Sequence, residues 1–114
     1  MDSCLFCKII KKEIPAPRVY EDDYAIVVKD ISPQAPLHFL ALPRKHYAGV
    51  HEVTQTDKKL FEQLFAAINA VVAKEKLAEA GYRLVINFGE KAGQSVPHIH
   101  VHILSGRSMH WPPG

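Results

Sequence analysis

Apolar positions follow a helical period in the middle of the chain. From Thr54 onward they recur every four residues, which predicts one long amphipathic helix. The apolar stripe comprises Leu60, Leu64, Ile68 and Val72, widened by Phe61, Phe65 and Val71. Thr54 and Asp57 have the spacing of a capping box at the start of this helix, and Gly81 can supply the left-handed residue that ends it.

Short β-branched and apolar runs predict strands on both sides of the long helix. They cover residues 24–28 and 39–42 before it, and residues 82–88 and 96–104 after it. A short helix is predicted over residues 5–12, because prolines follow and prevent its continuation. Strands and helices do not alternate as in a parallel doubly wound sheet, so the order predicts an α+β fold with an antiparallel sheet. We expect the long helix to cover one sheet face and to leave the other free to present side chains.

Composition predicts one small domain, spanning residues 1–114. The chain is 47% hydrophobic, enough for a single core. Its net charge of +2 is too small to require nucleic acid or an anionic membrane as a partner. No run approaches the roughly 18 apolar residues of a membrane span. Residues 1–4 lack the basic head of a signal peptide, so we expect a cytoplasmic protein.

Three of the seven histidines alternate along the last predicted strand. His98, His100 and His102 are expected to project from one exposed strand face, because successive strand side chains point to opposite faces. One alternative is an idle polar face that happens to be rich in histidine. Another is a single metal ion held by all three, but alternate residues lie about 6.6 Å apart, so only two of them can converge on one ion. The row therefore predicts imidazole chemistry.

Cys4 and Cys7 form a Cys-x-x-Cys pair near the amino terminus. In a reducing compartment this spacing indicates metal binding or redox activity before it indicates a structural disulfide. A tetrahedral zinc site needs two more ligands, and histidines must supply them because the chain has no second cysteine pair. A reduced thiol pair without metal is the alternative.

Residues 98–104 read His-x-His-x-His followed by two apolar residues, and the chain thereby resembles the histidine-triad family. The resemblance is to the Hint branch, the purine nucleoside phosphoramidases, and it covers nearly the whole chain. The other matching segments are Asp30–Pro36, His38, Asn87, Gly93–Ser95 and Met109–Gly114. It implies an antiparallel sheet of about five strands with one long and one short helix. Unlike some Hint members, this chain carries a cysteine pair, and Pro97 directly precedes its triad.

The resemblance implies a hydrolase of the adenosine 5′-monophosphoramidase type, which cleaves the P–N bond of purine nucleoside phosphoramidates. His100 would attack the α-phosphorus and form a nucleotidyl-histidine, which water releases as the nucleoside monophosphate. His102 would protonate the leaving amine, and Gln94 and Ser95 would help it to stabilise the phosphoryl oxygens. Transferase relatives carry glutamine in place of the third histidine, so His102 points to hydrolysis. No cofactor is expected to be required for this catalysis.

Residues outside the triad also match family positions. The resemblance places His38 behind the triad, where it orients an imidazole, and gives Asp30 the ribose hydroxyls. The apolar positions around the purine are Phe6, Ile9, Ile31 and Leu40. Asn87 matches a ribose or phosphate contact, and the Gly93–Ser95 turn can offer backbone N–H groups to a phosphate. Considered without the family, His38 is a structural histidine, Asp30 bonds its own loop backbone and the apolar residues belong to the core.

The resemblance further implies a two-fold homodimer with a ten-stranded sheet. Pairing through the 82–88 strand and the long helix would cover an open sheet edge. The tail around Trp111 would then reach toward the partner's active site and help to select the substrate. The alternative for the tail is a proline-rich disordered end.

Some bacterial relatives with the cysteine pair hold zinc with four protein ligands. These ligands map onto Cys4, Cys7, His46 and His98, so the resemblance implies a structural zinc ion here. The remaining histidines, His51 and His110, have no such match and are expected at the surface or in an interface.

Two other classes of function stay open at this point. One is a nucleotide-binding protein-interaction module with little catalysis, against which the intact histidine row argues. The other is a zinc-dependent binding protein with an incidental histidine row, whose function would be lost on chelation.

Overall fold

A computed structural model describes residues 3–114, and its central element is a five-stranded antiparallel sheet. The strands are β1 (Arg18–Glu21), β2 (Ala25–Lys29), β3 (Leu37–Pro43), β4 (Tyr82–Ile86) and β5 (Val101–Ser105). Their spatial order is β1-β2-β3-β5-β4. The helices are α1 (Leu5–Ile10), α2 (Lys59–Lys74) and α3 (Leu77–Ala80). The α+β antiparallel fold is confirmed, while Met1 and Asp2, part of the signal-peptide argument, lie outside the described residues.

Each face of the sheet is covered by a helix. Strand β2 is buried at four successive positions, because alternate side chains enter two different apolar clusters. The cluster beneath α2 includes Val27, Phe39, Leu64, Ile68, Ile99, Val101 and Ile103. The cluster beneath α1 includes Phe6, Ile9, Ile26, Val28, Leu40 and Leu42. The expectation of one free face is therefore wrong, because the short helix α1 closes it.

The long helix begins later and ends earlier than its periodicity predicts. Its first residue is Lys59, and residues 55–57 form a separate short 3₁₀ turn. The capping box is not formed, because the Asp57 carboxylate accepts from the Tyr47 hydroxyl and pairs with Lys45. Lys76 adopts a left-handed conformation, with φ of 56°, and separates α2 from α3. Gly81, with φ of 86°, ends α3 rather than α2.

Two differences concern the strands. The sequence pattern does not predict strand β1, because Val19 and Tyr20 stand between a charged residue on each side and the strand lies at the edge of the sheet. Strand β5 begins only at Val101, so the residues from 98 to 100 precede it. Pro97 has no N–H to donate, and the N–H of Ile99 donates to the carbonyl of Tyr47 instead of to a neighbouring strand. The chain stays extended enough there for alternate residues to keep facing opposite sides of the sheet.

None of the helices within residues 3–114 is long and apolar enough to cross a lipid bilayer.

Candidate active site and metal cluster

The three alternating histidines lie on the sheet face covered by α1. The apolar residues between them enter the cluster beneath α2, so the predicted alternation is confirmed. Their predicted exposure is wrong, since His98 and His100 are buried and His102 is half-buried. The Phe6 ring of α1 packs edge-on against the His100 ring, with 4.9 Å between the centroids. The row is therefore a buried, fixed array and not a solvated strand face.

The position of the proton on His100 follows from one hydrogen bond. Its Nδ1 lies 2.7 Å from the carbonyl oxygen of His98, which can only accept. His100 therefore donates from Nδ1–H, and its Nε2 carries a lone pair. Burial lowers the pKa of His100, against an opposing pull from Asp30. His100 thus keeps a neutral imidazole with a nucleophilic Nε2 at neutral pH.

His38 lies directly behind His102, where the family resemblance puts it. The His38 Nε2 is 2.9 Å from the His102 Nδ1 and 3.4 Å from a carboxylate oxygen of Asp30. Burial, with the neighbouring His100 and His38, lowers the pKa of His102 to about 4. The pair therefore stays uncharged at neutral pH and is ordered by hydrogen bonding.

A cavity of about 260 Å³ opens beside these rings, and its walls contain several residues identified from the sequence. These are Phe6, Ile9, Asp30, Ile31, Leu40, Ser95, His100 and His102. Ile31 is 90% exposed and stands at the mouth. One carboxylate oxygen of Asp30 accepts from the N–H of Ser32, which is the loop interaction considered as its alternative. Its other oxygen, Oδ2, lies 3.4 Å from the His38 Nε2 and has lone pairs left to accept from a ligand.

Other predicted site residues do not reach this cavity. The Gln94 side chain accepts from the N–H of Gly89 and donates to the carbonyl of Ala48, so its amide is engaged within the loop, and its role on the phosphoryl oxygens stays a prediction. Asn87 lies beside Gly93, and neither lines the cavity. Trp111 is 83% exposed and does not line it in this single chain.

Sequence reasoning missed part of the cavity wall. Residues 14–16 line it next to α1, together with Lys29 and Val96. The segment Ile14-Pro15-Ala16 was interpreted only as the end of a helix. The signal that could have identified it is an apolar residue on each side of a proline, which holds the bend against the sheet while presenting apolar groups.

A second cluster lies below the first triad histidine. It joins Cys4, Cys7, His46 and His98, and its four ligand atoms all lie within 4.8 Å of one another. The sulfur-to-Nδ1 distances are 3.4 Å from Cys4 to His98, 3.4 Å from Cys7 to His46 and 3.6 Å from Cys7 to His98. The two Nδ1 atoms are 3.1 Å apart. A zinc ion with ordinary bond lengths needs sulfur-to-nitrogen edges of about 3.5 Å and a nitrogen-to-nitrogen edge of about 3.3 Å.

The chemistry of these donors also fits zinc. His98 Nε2 is 2.9 Å from the carbonyl oxygen of Pro43, so it carries the proton and leaves a lone pair on Nδ1 toward the cluster. A backbone carbonyl in this role is a usual support for a metal-binding histidine. Burial and the nearby Cys4 thiol raise the pKa of the Cys7 thiol, so without a cation Cys7 stays protonated. The cluster therefore supports a structural zinc ion with four protein ligands.

Comparison with known proteins gives consistent matches over nearly the whole chain. A family model described as "Scavenger mRNA decapping enzyme C-term binding" matches residues 3–111. An uncharacterized HIT-like protein of Synechococcus elongatus is 46% identical over 113 residues, covering 99% of this chain and 98% of that protein. The 14 kDa zinc-binding protein of Zea mays is 48% identical over 112 residues, covering 96% of this chain and 87% of that protein.

A solved structure is similar in fold as well as in sequence. The HIT family hydrolase from Legionella pneumophila superposes with a TM-score of 0.93 at 46% identity. The match covers 98% of this chain and 100% of that chain.

We expect one zinc ion per chain, lost when a ligand is removed. His46→Ala should lower the zinc content and the free energy of unfolding, because a ligand present at about a thousand times its Kd stabilises the folded state by about 4 kcal/mol. Elemental analysis and urea unfolding measure both quantities. The matched control is His110→Ala, an exposed histidine outside the cluster. Equal zinc content in the two variants would remove His46 from the site.

We expect the protein to lose stability as the pH falls from about 6.5 toward 4. The His102 pKa is about 4 in the folded chain and about 6.5 when unfolded, so the unfolded state binds more protons in that window. Stability contributed by the neutral ring is complete above 6.5 and declines below it. His102→Gln should reduce the slope of unfolding free energy against pH, measured by urea unfolding between pH 4.5 and 7.5. Parallel curves for parent and variant would contradict this assignment.

Proposed function

The chain belongs to the histidine-triad family, and we propose that it is a nucleotide-binding hydrolase of the Hint branch that cleaves purine nucleoside phosphoramidates. The products would be a nucleoside monophosphate and an amine. One observation carries the proposal: a neutral His100, with its only proton tied to the carbonyl of His98, lines a cavity beside a second ordered imidazole. This is the arrangement that nucleophilic catalysis by histidine requires.

The first step is displacement at phosphorus. His100 Nε2 attacks the α-phosphorus, a new N–P bond forms, and the P–N bond to the amine breaks. The departing nitrogen needs a proton, which the neutral His102 ring supplies as a general acid. The negative charge left on that ring is balanced by the positive charge that the His100 ring gains with the N–P bond. The side chain and backbone of Ser95, at the cavity wall, are suited to donate to the phosphoryl oxygens.

The second step is hydrolysis of the nucleotidyl-histidine. His102, now without that proton, accepts one from water as the water oxygen attacks phosphorus. The bond from phosphorus to His100 Nε2 then breaks, and the neutral imidazole is regenerated. Atoms and protons balance over the cycle, with one water consumed and both histidines restored.

The cavity accounts for a nucleoside as the bound group. Its apolar walls, from Phe6, Ile9 and Leu40, can pack against the faces of a purine. The Oδ2 atom of Asp30, which does not accept from Ser32, is suited to accept from the ribose hydroxyls. Apolar walls discriminate weakly between similar rings, so both adenine and guanine nucleotides fit this proposal.

Zinc has a structural part in this scheme. Cys4, Cys7, His46 and His98 would hold it, and the bound ion would cross-link the amino-terminal segment to two distant parts of the chain. All four ligand positions belong to protein side chains, as in closed structural sites. The name of the maize relative, a zinc-binding protein, supports this role, and that of the Legionella relative supports hydrolysis.

The proposal includes a cytoplasmic homodimer of a single domain spanning residues 1–114. Strand β4 is an edge of the sheet and exposes Tyr82 and Ile86, 44% and 43% accessible, on one face. Pairing two such edges would give a ten-stranded sheet and cover both side chains. The exposed tail around Trp111 is then placed to help select the partner's substrate.

We predict that His100→Asn abolishes turnover without unfolding the protein. The asparagine amide can still donate to the His98 carbonyl, but it offers no nucleophilic nitrogen, so kcat should fall by about 10³-fold or more. Steady-state hydrolysis of an adenosine 5′-phosphoramidate measures this, and His51→Asn, at an exposed histidine outside the cavity, is the matched control. Turnover within about tenfold of the parent would exclude His100 as the nucleophile. Nucleotide binding by the parent without any turnover would favour the protein-interaction module.

We predict a dimer that depends on the β4 edge. Sedimentation of the parent at micromolar concentration should give twice the chain mass, and Ile86→Lys should give a monomer, because a charge there cannot be buried unpaired. Tyr24→Lys, at a side chain 56% exposed and outside β4, is the control and should stay dimeric. A monomeric parent would refute the dimer.

A further inference from the structure

The protonation of the His38 ring is set by the backbone of a neighbouring loop. His38 Nδ1 lies 3.0 Å from the main-chain nitrogen of Gln34. A main-chain N–H can only donate, so His38 Nδ1 must accept with its lone pair. The single proton of the neutral His38 ring therefore resides on Nε2.

This proton determines the state of the next ring. The His38 Nε2–H faces the His102 Nδ1 at 2.9 Å and a carboxylate oxygen of Asp30 at 3.4 Å, and the shorter distance identifies His102 as the acceptor. His102 Nδ1 then carries a lone pair, and the proton of the neutral His102 ring must be on Nε2. The same logic excludes a metal held by Asp30, His38 and His102, although their ligand atoms converge, because His38 Nε2 has no free lone pair.

We infer that Gln34 is a positioning residue, whose main-chain N–H fixes the tautomers of His38 and His102 in series and so presents a proton on His102 Nε2. The side chain of Gln34 is not part of this chain of bonds, since its amide donates to the carbonyl of Ser32. The inferred role belongs to the backbone at this position. The assignment of the two tautomers depends on the hydrogen-bond geometry alone, whereas the effect on catalysis rests on the proposed function.

The loop that presents this N–H is held from the end of β5. Arg107 donates through Nε to the carbonyl of Gln34 over 2.8 Å. Gly106, with φ of 98°, lies so close to Pro36 that a Cβ at position 106 would be 2.9 Å from the proline Cβ. Arg107 therefore holds the Gln34 carbonyl, Gly106 lies against Pro36 in the same loop, and the Gln34 N–H is aimed at His38.

The alternative tautomer of His38 would reverse the direction of the hydrogen bond between His38 and His102. With a proton on Nδ1, His38 would lose the Gln34 bond and present a lone pair to His102. His102 would then carry its proton on Nδ1 and a lone pair on Nε2. An Nε2 without a proton cannot act as the acid for a departing amine, although it can still assist a leaving group that needs no proton.

Nitrogen NMR on the unmodified protein tests the tautomers without reference to activity. With ¹⁵N-labelled chain, we expect Nε2–H for both His38 and His102. Scalar coupling across hydrogen bonds should join Gln34 N to His38 Nδ1, and His38 Nε2 to His102 Nδ1. An Nδ1–H tautomer at either ring, or no coupling from Gln34 to His38, would overturn the inference.

Kinetics test the catalytic consequence. Gln34→Pro removes the N–H, while Gln34→Ala keeps it and removes only the side chain. For a phosphoramidate with an alkylamine leaving group, the proline variant should lose kcat by about 10²-fold, the lower end for a lost general acid, with KM little changed. A nucleoside aryl phosphate, whose leaving group needs no proton, should lose much less. The alanine variant should resemble the parent with both substrates.

A second pair of variants keeps the test decisive if proline at this position prevents folding. Arg107→Gln releases the Gln34 carbonyl, and we expect it to weaken the Gln34-to-His38 coupling and to slow the alkylamine substrate more than the aryl one. The control is Lys74→Gln, since Lys74 also donates to a backbone carbonyl, that of Val19, on another part of the surface. Equal losses for the two substrates in the folded Gln34 or Arg107 variants would refute the positioning role. If the parent hydrolyses no phosphoramidate, the proposed function fails while the NMR result still decides the tautomers.

Discussion

Imidazole rings packed between an apolar helix and a sheet must have a defined partner for each buried nitrogen, and the active-site region depends on this constraint. An unpaired polar nitrogen away from water costs about 1–3 kcal/mol, so the backbone carbonyls and N–H groups around the rings determine where the protons are. The carbonyls of Pro43 and His98 each accept one ring proton. The result is a set of neutral rings whose lone pairs and protons point in fixed directions.

His98 connects the two sites of the molecule. Its ring faces the cysteine cluster through Nδ1, while its carbonyl accepts the Nδ1–H of His100. The ring and the carbonyl belong to the segment just before β5, where His98 donates its N–H to the Val96 carbonyl and Ile99 donates to the Tyr47 carbonyl instead of to a neighbouring strand. An ion that fixes the His98 ring therefore also fixes the carbonyl that directs the nucleophile, without taking part in the chemistry.

The sequence predicts an element of the fold well where a hydrophobic period extends over many residues. It predicts an element poorly where contacts with residues distant in sequence determine its boundaries. The α2 stripe identifies a helix because it buries one side, and the alternation around Val101 identifies a strand because its apolar residues all enter the cluster beneath α2. Strand β1 escapes prediction, since an edge strand needs apolar residues on only part of its surface. The helix start at Lys59 is displaced from Thr54 because Asp57 is committed to Lys45 and Tyr47, two residues distant in sequence.

Within the site, motif spacing locates the triad, and the family resemblance points to His38 and to the cluster of Cys4, Cys7, His46 and His98, but neither says anything about exposure. The row appears solvated when only the long helix is considered, and α1 buries it. Gln94 matches a ligand-binding position, yet its amide holds the loop together through Gly89 and Ala48. Side-chain polarity indicates which groups can bond, whereas the available partners are decided by the tertiary structure.

Gly106 lies close to Pro36, so a small change of shape at this surface can affect the active site. Neither residue lines the cavity, yet any side chain larger than hydrogen at position 106 would push against the loop whose amide orients two imidazoles. A substitution in this loop can thus change which nitrogens of His38 and His102 carry protons, while the residues that line the cavity stay the same. Sequence changes can therefore alter reactivity and ligand recognition separately. The surface loop governs the first, and the apolar walls beside α1 govern the second.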